Sequence, residues 1–113
     1  MSASELQFFV SCAEKADAGG RDQMQEAAAY WAEAAVIAVK TDRMRLAILY
    51  YRKAAANLTD NREQNNMTMY ALRLAKQRNY PSLIHECVDS LVQEELSEPD
   101  REFVATCKAD AAP

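Results

Sequence analysis

Met24, Ala27, Ala28, Trp31, Ala34, Ala35 and Ala38 recur at the spacing that places residues on one face of an α-helix. Most of that face is alanine. A stripe this small becomes stable only where a second helix comes close enough to share its surface, and Trp31 is its single large anchor. Asp22, just ahead of the stripe, is the expected N-cap. The rest of the chain agrees with this constraint. Its 113 residues hold 21 alanines against two glycines and three prolines, the best helix former against the two strongest breakers. An all-α fold follows, and this length suits one domain able to bury a core without metal or disulfide support.

Apolar periodicity predicts six short amphipathic helices, at about 4–18, 22–40, 42–58, 61–78, 81–96 and 98–109. The first carries Leu6, Phe9, Val10, Ala13 and Ala16 behind a Ser2-x-x-Glu5 capping box, and Gly19-Gly20 ends it. Past Lys40 the stripe loses phase and resumes, rotated, at Met44, Ala47, Ile48, Tyr51, Ala54, Ala55 and Leu58. A break near Thr41-Asp42 is expected, with either residue capping the third helix. Asp60-x-x-Glu63 starts the fourth, whose polar first turns, Asn61 to Asn66, should face water before Met67, Tyr70, Ala71 and Leu74 turn inward. Pro81 stops that helix and opens the fifth, with Leu83, Ile84, Cys87, Val88, Leu91 and Val92 inward. Ser97-Glu98-Pro99-Asp100 repeats the device before a short sixth helix around Phe103, Val104 and Cys107, and residues 109–113 should fray. Such helices pack as αα-hairpins.

Chemistry-bearing motifs are missing. Cys12, Cys87 and Cys107 are odd in number and form no Cys-x-x-Cys, so buried thiols in a reducing compartment are expected rather than a disulfide framework. His85 and Cys87 stand two apart, which on a helix points them to opposite sides and disfavours a shared metal or a Cys-His nucleophile. No glycine-rich phosphate loop, Gly-x-Ser-x-Gly or His-Glu-x-x-His occurs. Glu94, Glu95 and Glu98 read as a solvated helix end. The expectation is a non-enzymatic protein without metal or cofactor. The acidic start and the lack of a long apolar run predict a cytoplasmic protein with no membrane segment.

Charge is segregated within an overall net of −4. Residues 39–78 hold nine basic and three acidic side chains, whereas 1–38 hold two and six, and 79–113 hold two and eight. Two readings stand. The basic middle faces the acidic ends across the fold or across a dimer, in pairs worth at most about 1 kcal/mol each when exposed, or its arginines form a surface for an acidic protein or, less readily, a phosphate backbone. Among aromatic residues, Trp31 and Tyr51 fit the inward stripes, while Tyr30 and Tyr50 fall on the flanks, where exposure would suit binding. Tyr30, Arg43, Arg45, Tyr50, Arg52 and Lys53 are therefore the candidate partner-binding residues.

Ala27-x-x-x-Trp31-x-x-Ala34 and Ala47-x-x-x-Tyr51-x-x-Ala54 share one small–aromatic–small spacing, which is similar to the second helix of a tetratricopeptide repeat and implies a helical-hairpin adaptor. A second likeness spans about residues 10–53. Ala13-Glu14-Lys15-Ala16, Glu26-Ala27-Ala28-x-x-Trp31-x-x-Ala34 and the basic stretch ending in Tyr51-Arg52 resemble the ANR family of small bacterial regulators. That resemblance implies binding to, and inhibition of, AraC-type transcription activators. The expected function is thus a regulator or inhibitor, bacterial or phage-borne, that occludes a protein partner with an acidic patch. The alternatives are a chaperone cradling an exported helix and nucleic-acid binding through the basic middle helices; exposed alanine faces would favour a homodimer.

Overall fold

The computed structural model describes residues 3–111. Six helices follow one another: α1 (Ala3–Ala18), α2 (Met24–Lys40), α3 (Met44–Ala56), α4 (Asn61–Arg78), α5 (Pro81–Asp89) and α6 (Glu98–Ala111), with single 3-10 turns at Arg21–Gln23 and Gln93–Glu95. No strand occurs among the described residues. Each helix packs chiefly on its chain neighbours, so the hairpins stack in sequence order into a body of 38 × 29 × 21 Å.

Alanine makes this close stacking possible. Ala27, Ala34, Ala35 and Ala38 of α2, Ala47 and Ala54 of α3, and Ala71 and Ala75 of α4 are fully buried, around Trp31, Ile48, Met69 and Leu72. The two similar motifs lie on α2 and α3, facing halves of one hairpin. The recurrence visible in space has a different period. Helices α2, α4 and α6 start at Met24, Asn61 and Glu98, 37 residues apart each time.

Between hairpin α2–α3 and hairpin α4–α5 the offset extends to burial: Ala34, Ala35, Ala38, Ala47, Tyr50, Tyr51 and Ala54 correspond to Ala71, Leu72, Ala75, Ile84, Cys87, Val88 and Leu91, all buried. It extends to the turns as well. Asp42 (φ 58°) and Asn79 (φ 57°) are both left-handed. Arg43 N–H donates to the Ala38 carbonyl at 2.7 Å and Tyr80 N–H to that of Ala75 at 3.0 Å. Both turns are thus Schellman motifs built on Asp and Asn, the non-glycine residues that best tolerate this conformation.

Several termini differ from the sequence expectation. Asp22 does not cap α2; it sits in the 3-10 turn entered through Gly20 at φ 78°. Neither Thr41 nor Asp42 caps α3: the Thr41 hydroxyl donates back to the Ile37 carbonyl at 2.9 Å, and Asp42 forms the left-handed turn. Asp60 does cap α4, accepting from Glu63 N–H at 3.0 Å, and Pro81 opens α5. The Ser2 capping box lies outside the described residues. Helix α6 continues to Ala111, through the start of the segment expected to fray.

The largest difference is at α5, which ends at Asp89 instead of running to 96. Asn65 holds the segment that follows. Its side-chain amide donates to the Val92 carbonyl and accepts from Val92 N–H, both at 2.9 Å, holding the chain out of helical geometry. Asn65 and Thr68 are buried, so the polar start of α4 is not wholly solvated as expected.

Candidate protein-binding face

The basic middle segment meets the acidic C-terminal segment directly. Arg52 pairs with Glu86 at 2.7 Å, Arg62 with Glu95 at 3.2 Å and Arg73 with Asp100 at 3.2 Å, while Arg78 pairs with Asp42 between the two Schellman turns. Much of the charge segregation is consumed inside the fold.

The six candidate residues separate into distinct environments. Tyr50 is the correction: it is 8 % exposed and stacks on Trp31, ring centroids 5.4 Å apart, so it is no contact residue. Burial raises its phenol pKa, and the Glu14 carboxylate adds to the shift. It shares a helix with Tyr51, also buried, because α3 is covered on two sides by α2 and α4 and its inward arc is wide. Tyr30 is half-buried against Phe9. Lys53 places its ammonium 5.0 Å from the Trp31 ring centroid, and the indole N–H of Trp31 donates to Asp17 at 2.7 Å, which ties α1, α2 and α3 together. Arg45 lies over the Tyr80 ring at 4.0 Å. Arg43 is exposed and makes no ion pair among the described residues.

The residues that sequence reasoning missed are two leucines. Leu46 and Leu49, one turn apart on the outer side of α3, are 37 % and 45 % exposed, whereas the large aliphatic side chains of the core are buried. Arg45, Arg52 and Lys53 flank them, so three of the six candidates share one face with an apolar centre. Beside Leu49 runs a shallow groove of about 360 Å³, with Arg52, Lys53 and Ala56 on one wall and Gln64 and Thr68 of α4 on the other. The signal was present, since neither leucine belongs to the inward stripe Met44, Ala47, Ile48, Tyr51. Phe8, Val36 and Tyr70 are the other large apolar residues exposed among those described, each on a different helix.

His85 and Cys87 lie on α5 and Cys107 on α6. His85 is exposed and Cys87 buried, on opposite sides of α5 as their spacing implies. Burial pushes the Cys87 thiol up to about 11 and raises that of Cys107, so both are protonated at neutral pH. Among the described residues, no three His, Cys, Asp or Glu side chains are placed to hold a metal ion, and no helix is long and apolar enough to cross a membrane. No family model, curated protein or solved structure matches this chain.

Proposed function

We propose that the protein is a non-enzymatic binding module that docks a protein partner along the outer face of α3 and acts by occluding it. The observation that carries this reading is the exposed pair Leu46 and Leu49 between Arg45, Arg52 and Lys53. Apolar side chains on a rigid helix supply affinity when water is excluded, and the surrounding cations steer an acidic partner and fix its register. Rigidity here comes from the fold, since α3 is held between α2 and α4 with Tyr50 and Tyr51 buried beneath. A preformed surface of this kind masks its target stoichiometrically and needs no turnover, which fits a regulator or inhibitor.

Four arginines engaged by carboxylates reduce the positive surface open to a phosphate backbone, which favours a protein partner. The test is capture from nuclease-treated lysate of the source organism by the tagged chain, beside a Leu46→Ser/Leu49→Ser variant. One stoichiometric protein should bind the native chain and bind the variant about tenfold more weakly or worse. Equal capture by both would move the site elsewhere. Recovery of nucleic acid alone, when nuclease is omitted, would contradict the reading.

A further inference from the structure

The connections between helices alternate between the two ends of the stack. The α2–α3 and α4–α5 turns share one end, where Arg78 reaches Asp42. The α3–α4 and α5–α6 connections share the other, where Arg62 reaches Glu95 and Asn65 clamps Val92. Because α2 runs antiparallel to α3 across a three-residue turn, the α1–α2 connection also lies at this second end.

The two ends carry opposite charge. At the first, Lys40 and Arg43 are exposed and make no ion pair among the described residues, and with Arg78 they outnumber Asp42 and the exposed Glu5 at the start of α1. At the second, the carboxylates of Asp22, Glu26, Glu63 and Glu94 are exposed and make no ion pair among the described residues, and with the exposed Asp60 and Glu98 they outnumber Lys15, Arg21 and Arg101.

We propose that the basic end, around Lys40 and Arg43, receives the acidic end of a second copy of this chain. The inference goes beyond the docking of a partner on α3, because recognition is made by charge at the ends of the stack and not by the leucines along α3. Two non-equivalent surfaces meet in such a contact, so it is heterologous and does not close at two copies. The attraction is carried by charged side chains and falls as salt is added.

Sedimentation velocity of the full chain, over a concentration series at about 20 mM and about 500 mM salt, reads this directly. The low-salt average mass should climb above the 12.7 kDa monomer without levelling at two copies, and high salt should restore the monomer. A Lys40→Gln/Arg43→Gln variant and an Asp22→Asn/Glu94→Gln variant, each verified as folded by circular dichroism, should both remain monomeric. Mixed, they retain one native acidic end and one native basic end, so they should form pairs that stop at two chains. A native monomer at low salt, a dimer that levels at two copies and ignores both variants, or a mixture that fails to pair would each overturn the proposal. None of these outcomes depends on a partner at α3.

Discussion

Hairpins α2–α3 and α4–α5 share a turn, a 37-residue offset and a burial pattern, yet they are held together differently. The first is cohesive through packing. Trp31 fills the space between α1, α2 and α3, with Tyr50 stacked on it, Lys53 over it and Asp17 accepting its N–H. In the second, Thr68 stands at the position equivalent to Trp31, α5 has nine residues against thirteen in α3, and its exit is fixed by the Asn65 amide. The helix outer faces differ in the same sense. Leu49 and Arg52 of α3 correspond to Glu86 and Asp89 of α5. One backbone scheme therefore supports an apolar, basic face in one hairpin and a polar, acidic one in the next, and Arg52 joins them through Glu86.

The comparison breaks most severely at Trp31. Trp31→Ala should destabilise the chain by about 3–5 kcal/mol in urea unfolding, because it empties the junction of three helices. A cost below 1 kcal/mol, on the order of a surface substitution, would mean that packing does not distinguish the first hairpin. Next comes Asn65→Leu, which strands the Val92 N–H and carbonyl and should cost about 1–3 kcal/mol. Hydrogen exchange at Val92 checks it, and unchanged protection there would show that the clamp does not hold the exit of α5. Asp60→Ala removes the α4 cap and should cost about 1 kcal/mol by the same unfolding assay.

Arg73→Ala and Asp100→Asn should each fall within about 1 kcal/mol, since their pair is partly exposed and screened. Alkaline pH sharpens the comparison differently. The Cys87 thiol titrates near 11 in the folded chain against 9.0 when free, so the stability it contributes is present below pH 9 and is lost as pH rises through 11. The buried phenols of Tyr50 and Tyr51, also raised, act in the same direction. Denaturant midpoints across that window should fall, and a Cys87→Ala variant should fall less steeply.

The helices were legible because their signals are local. The loss of phase after Lys40, Pro81 at the start of α5 and Asp60 three residues before Glu63 each place a boundary through nearest-neighbour geometry. What escaped depends on partners distant in sequence. Asn65 reads as one of several solvated polar residues until Val92, 27 positions on, makes it a clamp. Tyr50 lies on a flank by periodicity, yet neighbours on both sides of α3 widen the buried arc to include it. The same three-dimensional information reduced the basic segment to a smaller surface, because Glu86, Glu95 and Asp100 engage arginines that sequence alone leaves free. It also revealed Leu46 and Leu49, whose exposure depends on how the other described helices pack around α3.

The outer face of α3 is best tested by leucine-methyl NMR of the full chain during titration with the captured partner. The methyls of Leu46 and Leu49 should shift or broaden in step with binding, while those of the buried Leu6 and Leu91 stay in place. Shifts confined to other methyls, with Leu46 and Leu49 unmoved at saturation, would contradict the account.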